Sequence, residues 1–430
     1  MTPRRIARQG AWLLPLWVAL LGADRIDLLG GRGPFVLTPF LLLTAPVVAM
    51  ELAARRARLG EAWRRVPAAF AVQAALVFLL VGIAALSTIN SLDALVTVQR
   101  TLLLAAQAGG ASLVIWAIAD DPDAPTRLAA GGRLGIAFAL VSNLAQGLAF
   151  AAAFPVQLGI ADLRLVDLQT FNYAGLIPRV SGLALDPNRG AYLGIFHLTL
   201  ANMGPAPARR WWLTAGAVSL LGTLSRSGLL ATGAALAIAA AVQAGPDRES
   251  RVVPAHRAGR HRSLRSLLAS LLVVSSATLL AFPSARERAA DRLAPAAGRL
   301  SAAEGSARLH TQLLQRAIAE ATRDVPRTLL GAGYGTSFLL LRDVFGTRYG
   351  NFHSLYLTFW VETGILATML VIVLLTWPFR QAGPWRPLLA ATIVFNLFYQ
   401  AGSEPALWAS LALAWQAGTA APIAPRRSET

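Results

Sequence analysis

Apolar and polar positions alternate along this chain in blocks rather than residue by residue. Twelve apolar stretches stand out, at 11–30, 35–52, 68–88, 96–119, 132–153, 189–203, 211–224, 228–243, 266–282, 354–376, 388–402 and 406–419. A helical run of about 18 residues or more can cross a hydrocarbon core about 30 Å thick. Backbone groups in lipid must be satisfied internally, which leaves helices or a closed barrel; continuous runs, rather than ten-residue alternation, select helices. The pattern predicts an all-α polytopic membrane protein of about 12 transmembrane helices, a single integral membrane domain spanning residues 1–430. Several stretches are short and parted only by tight turns, at Ser225-Arg226-Ser227 and Ser403-Glu404-Pro405. No fixed-period repeat and no linker marks a second domain.

The longest polar block, 283–353, falls between the ninth and tenth stretches. Two or three amphipathic helices are expected in it. Ser301 and Glu304 fit a capping box. The helix that follows would carry Leu309, Leu313, Ala317 and Ile318 on one face and Arg308, Gln312 and Gln315 on another.

Composition agrees with the membrane reading: 55% of residues are hydrophobic and 14% charged, against roughly 25% charged in soluble domains. The net charge of +17 comes entirely from arginine, since no lysine is present. Its placement speaks to topology rather than to nucleic acid, which is not an expected partner. With the N-terminus inside, the loops 1–10, 51–67, 120–133, 204–210, 244–265, 377–387 and 420–430 hold 22 arginines, six of them in the Arg-rich cytoplasmic loop 244–265. The short outer loops 88–95 and 403–405 hold none. By the positive-inside rule both termini are cytoplasmic. The start of the chain reads as an uncleaved first span, because no small-x-small site follows its apolar run. Cysteine is absent, which removes disulfides and thiol chemistry.

Arginine also concentrates on the outer side, in 154–189, at Arg226 and in 286–348, which holds ten. Long loops translocate regardless of charge, so this excess needs another explanation. Arg226 sits between two apolar runs with almost no loop around it. Facing lipid it would cost at least about 2.5 kcal/mol, so it is read as lining a cavity rather than snorkelling. Its planar fork of donors suits phosphate. His353, at the mouth of the tenth stretch, is the side chain able to accept a proton near neutral pH, with Asn351 or Ser354 as a capping neighbour. Glu362 lies deeper and is expected to pair with an arginine or a polar backbone site. Arg308 and Arg316, eight positions apart, can line one side of the loop helix that also carries His310. Ordinary solvation, or bridges to Glu287, Asp291, Glu304, Glu320 or Asp324, is the competing reading for them. Arg179 and Arg189 could add charge from the segment before the sixth stretch, where Asp186-Pro187 has the form of an N-cap with proline at N1. Gly331 to Gly335 is not read as a nucleotide loop, because no βαβ context surrounds it. No Asp-x-Asp or clustered His/Glu spacing suggests a metal, and no cofactor is expected.

Taken together, these features resemble the O-antigen ligase/polymerase superfamily, membrane glycosyltransferases of the GT-C type. The most specific piece is His353-Ser354, nine residues, then Gly364; three residues later this chain has Ala367, where the ligase pattern usually places Gly, Thr or Tyr. Ser225 to Gly228 resembles the family's outer-face arginine turn, Arg308 its large-loop arginine, and Arg179 to Gly182 with Pro187-Asn188 the segment before the sixth span. The resemblance implies transfer of a glycan from undecaprenyl diphosphate to an acceptor, for ligases a sugar of the lipid A core, on the periplasmic face of the inner membrane. The lipid tail would lie between spans among the membrane lipids. His353, Arg226 and Arg308 would carry the chemistry. Arg179, Arg189 and Arg316 would join Arg226 and Arg308 on the diphosphate, with Glu362, Gln312 and Asn351 in support. Fixed arginine charge can stabilise a departing diphosphate without a metal, a histidine can take the acceptor proton, and direct displacement inverts the anomeric centre. The alternatives are a polymerase or a protein-decorating ligase using the same donor, and a transporter of an anionic solute. The mechanism requires Arg226, Arg308 and His353 to meet in one cavity.

Overall fold

The computed structural model describes residues 12–30, 37–54, 68–160, 163–173, 177–203, 206–244, 301–345 and 350–417. The arginine-rich stretches 1–10, 55–67 and 245–265, the expected span 266–282 and residues 283–300 of the large loop lie outside the described residues. In chain order the helices are α1 (Leu13–Ala19), α2 (Pro39–Ala54), α3 (Ala68–Leu86), α4 (Ala94–Ala117), α5 (Ala124–Phe150), α6 (Pro187–Ala201), α7 (Ala206–Gly222), α8 (Arg226–Ala244), α9 (Ser301–Ala321), α10 (Val325–Leu330), α11 (Ser337–Phe345), α12 (Leu355–Thr376), α13 (Arg386–Phe398) and α14 (Pro405–Ala417). All but α9, α10 and α11 fall on expected apolar stretches. Among the described residues four helical stretches are long and apolar enough to cross a membrane: Ala68–Asn90, Ala94–Ala117, Ala124–Phe150 and Leu355–Arg380. Phe78 and Val141 point outward, 81% and 69% exposed, as a lipid-facing surface requires and a water-facing one would not favour.

Three expectations need correction. The first stretch is no continuous span, because α1 has only seven residues and the chain then turns. The charges beyond it are buried and bound. Leu185 N donates to Asp24 Oδ1 at 2.7 Å, while the Arg25 guanidinium donates to Gln146 Oε1 at 3.1 Å and to the carbonyls of Asp167 and Gln169. Next, α5 begins at Ala124 rather than 132. Arg127 is carried inside it because Asp121, at 2.9 Å, and Glu51 neutralise it. Finally, the chain is not wholly helical. Two antiparallel hairpins, β1 (Gln157–Ile160) with β2 (Leu163–Asp167) and β3 (Phe171–Tyr173) with β4 (Ile177–Arg179), occupy the segment before α6. Residues after α1 extend the first hairpin, with Asp27 N donating to Leu165 O at 3.0 Å and Asp167 N to Arg25 O at 3.1 Å.

The large loop holds three helices among its described residues, α9 to α11, as its amphipathic pattern predicts. α9 buries Leu313, Ala317 and Ala321 at i, i+4 spacing against Leu340, Leu341, Phe352 and Val361. Ile318, expected on that face, is exposed, because the buried stripe follows the 313–317–321 row and Ile318 sits one position off it.

What fastens the loop to the bundle is a break in α12. Gly364 adopts φ +83 and ψ 176 inside the helix, which frees carbonyls that cannot stay unpaired in an apolar setting. Ala332 N donates to Val361 O at 2.7 Å and Gly333 N to Glu362 O at 2.9 Å. The 331–335 segment is gripped on its other side too: Asn90 Nδ2 donates to Gly331 O at 2.9 Å and Tyr334 N to Ser87 Oγ at 3.0 Å. Gly331, at φ +72, and Gly364 must both be glycine here. A Cβ on the first would lie 2.3 Å from Glu362 C, and on the second 2.0 Å from Leu329 O. Replacing Gly364 by alanine combines a left-handed penalty of about 1–3 kcal/mol with that clash. The expected outcome is a large fall in the thermal unfolding midpoint of detergent-purified protein, read by tryptophan fluorescence.

Candidate active site

His353 ends the loop, two residues before α12, and its backbone is left-handed at φ +54. Few non-glycine residues adopt this conformation, and it persists where surrounding structure enforces it. Asn351 supplies part of that enforcement, its Oδ1 accepting from His353 N at 2.9 Å. Leu355 N, the first amide of α12, donates to Tyr399 O at 3.1 Å. Ser354 occupies the N-cap position without a side-chain cap bond.

Three elements supply the walls around the imidazole. The His310 ring, from α9, lies with its centroid 5.0 Å away at 71°, and the Tyr399 ring, from the end of α13, 5.9 Å away at 70°. Asp186, before α6, bears electrostatically on His353 and hydrogen-bonds the Tyr399 side chain. Burial, with a smaller contribution from His310, pushes His353 down to about 4 against the upward pull of Asp186. The imidazole is therefore neutral at physiological pH, the form that accepts a proton. His310 is lowered as well, by burial first and then by the Arg226 guanidinium. Of the two imidazoles, His310 is the one on which Arg226 bears.

Arg226 is the first residue of α8 and is exposed. Local hydrogen bonds fix its position. Ser225 Oγ accepts from Gly228 N at 3.1 Å, capping α8, and donates to Asn188 Oδ1 at 2.9 Å. Arg179 Nε donates to Thr223 O at 3.1 Å, and Arg179 Nη2 reaches Asn188 Oδ1 at 3.5 Å. Arg179, Asn188 and the Ser225-Arg226 turn thus form one cluster. The expected N-cap is present, with Asp186 Oδ1 accepting from Asn188 N at 2.7 Å and Pro187 beginning α6.

The other sequence candidates lie as follows. Arg308 occupies α9 two residues before His310, and its side chain lies outside the description. Gln312 is exposed on the same helix. Arg316 pairs with Glu320 at 2.8 Å, the bridging reading considered for the loop arginines. Glu362 is buried and accepts from Ser337 N at 3.1 Å, so it holds the start of α11; Arg100 is the cation that bears on it. Arg189 is held by two carboxylates, Asp24 Oδ2 at 2.5 Å and Glu404 Oε1. Among the described residues no three His, Asp or Glu side chains cluster as metal ligands would.

Sequence reading gave no site role to Tyr399, Asp24 or Glu404. The one available signal was Glu404, a carboxylate in a tight turn between two apolar runs on the side assigned to Arg226. A buried pair broken by removing one partner is destabilised by about 3–5 kcal/mol. Arg189→Ala is expected to lower the unfolding midpoint sharply. Arg226→Ala, at an exposed position, is expected to leave the midpoint within a few degrees of the parent in the same melt.

No curated protein matches the chain. Residues 212–372 match the family described as O-antigen ligase, somewhat over a third of the chain. The matched stretch contains Arg226, Arg308, His310, His353 and Glu362, and leaves Arg179, Arg189 and Tyr399 outside. Over that stretch the chain is similar to the O-antigen ligase family, and its apolar helices are those of a membrane protein.

Proposed function

We propose that the protein is an O-antigen ligase, moving a glycan from undecaprenyl diphosphate to the lipid A-core oligosaccharide on the periplasmic face of the inner membrane. The observation that carries this reading is His353: a partly buried imidazole on a left-handed backbone, ring to ring with His310, on which Arg226 bears electrostatically. A neutral base next to a fixed guanidinium suits attack by a hydroxyl on a carbon whose leaving group is anionic.

The acceptor hydroxyl gives its proton to His353 as its oxygen bonds to the anomeric carbon. On the opposite face the bond from that carbon to the diphosphate oxygen breaks, and the electron pair leaves with the diphosphate. Attack from the opposite face inverts the anomeric centre. Arg226 and Arg308 hold the departing charge, and Arg179 supports the Ser225-Arg226 turn through Asn188. Arginine charge is permanent and already in place, so stabilisation of the leaving group calls on no metal.

With purified protein, lipid-linked glycan donor and lipid A-core acceptor, the parent is expected to form capped lipid. His353→Ala and Arg226→Ala are each expected to lower transfer about 10²–10³-fold, with the unfolding midpoint unchanged. Parent-like transfer by either variant refutes the role of that residue. If only longer lipid-linked chains form, the protein is a polymerase; capture of the glycan by an added protein acceptor would make it a protein ligase.

The acid limb of the pH profile follows from the downward displacement of His353. The base must be neutral to work, and its pKa lies near 4 rather than 6.5. The kcat/KM limb, which reports the free enzyme, should fall only as pH drops toward 4. With the anionic donor bound, the imidazolium is stabilised and the kcat limb should lie higher.

A further inference from the structure

We infer that His310 is the proton partner of His353, taking the acceptor proton on from the base and carrying it to the departing diphosphate. The inference rests on the transfer reaction proposed above and adds a residue to it. Three observations point to this role. The His310 and His353 rings meet edge to face, with centroids 5.0 Å apart. His310 comes from α9 and Arg226 from the start of α8, yet the guanidinium bears on this imidazole, so the charge assigned to the leaving group acts on the second histidine of the pair. His310 is also exposed, whereas His353 is only partly so.

The charged and titratable groups facing the pair come from several elements. Asp186, ahead of α6, and Tyr399, after α13, face His353; Arg226, on α8, faces His310. Asp186 favours the protonated form of His353 and would hold the proton there after attack. Burial opposes it, and His310 adds a smaller opposition. A base that keeps its proton cannot act again. The proton taken from the acceptor hydroxyl passes from His353 to His310, and then to an oxygen of the diphosphate beside Arg226. The acceptor loses its proton, the diphosphate gains one as it leaves, and both imidazoles return to the neutral state. No other reactant is required.

The test uses full-length protein in lipid nanodiscs and two variants, His310→Gln and His310→Ala. Glutamine keeps polar contacts but cannot hold a proton. Without substrate, the pH dependence of His353 modification by diethyl pyrocarbonate, followed by peptide mass spectrometry, reads the protonation midpoint directly. In His310→Gln the midpoint should move up from about 4 by part of its displacement, since an opposing neighbour is gone while burial, the larger cause, remains. An unmoved midpoint overturns the inference. With donor and acceptor present, kcat should fall at least about tenfold while both KM values stay within about twofold, and the acid limb should move up with the midpoint. Parent-like kcat in His310→Gln also overturns the inference. A kcat loss in His310→Ala accompanied by a matching rise in KM and a lowered unfolding midpoint would mean a packing role, and would refute the proton role. If the parent transfers glycan to no acceptor while the midpoint still shifts, the proposed function fails and the coupling of the two histidines stands.

Discussion

A charge withdrawn from water must be paired, and the end of the bundle that carries His353 is assembled around one such charge. Arg189 lies between Asp24 and Glu404, which come from three distant parts of the chain. The turn after α1, the start of α6 and the turn before α14 are thereby fixed to one another. Asp24 also accepts from Leu185 N, just ahead of Asp186. Through these contacts Asp186 and Tyr399, neither of which is attached to the large loop, are held where His353 arrives. In low dielectric such a pairing tolerates little displacement, because any separation leaves a carboxylate uncompensated.

The large loop reaches the same place by a different physical route. Its described residues are fastened by backbone hydrogen bonds. A transmembrane helix that breaks at Gly364 presents two free carbonyls, and the amides of Ala332 and Gly333 take them. Glu362 then caps the start of α11 from within the same break. Loop and helix are interlocked near residue 362, and α9 packs its Leu313–Ala317–Ala321 row against the half of α12 that runs back up to His353. The position of His310 relative to His353 is set by that packing.

Much of this was legible in the sequence where a single dominant force decides structure. Long apolar blocks gave the helices, the Asp186-Pro187 pair gave the start of α6, and apolar spacing gave Leu313 and Ala317 of the buried row of α9 while misplacing Ile318. Arg226 and His353 stood out because polar groups at such positions need a reason. What escaped depends on pairing across the chain. Asp24 and Arg25 were absorbed into the first apolar stretch because their partners lie more than 100 residues away. Arg100 was absorbed into an apolar stretch, and its neighbour Glu362 gave no hint of which arginine it would face. The hairpins before α6 are three to five residues per strand, too short for alternation to register. Gly331 to Gly335 could be recognised as a close-packing turn, but not as the plug of a broken helix.

Among the helices that begin at this end of the bundle, α6, α8 and α12 have beginnings that are not electrically equivalent. A helix N-terminus carries roughly half a positive charge from its aligned peptide dipoles. At α6 that charge meets the Asp186 carboxylate and is cancelled. At α8 the cap is the neutral Ser225 hydroxyl, and at α12 the first amide is met by a backbone carbonyl, that of Tyr399. The dipoles of α8 and α12 therefore meet no carboxylate at their caps. An anion reaching either start would meet a field built into the backbone as well as the one projected by arginine. Part of the site's positive potential is thus a property of how the chain is wound, beyond the reach of any side-chain replacement.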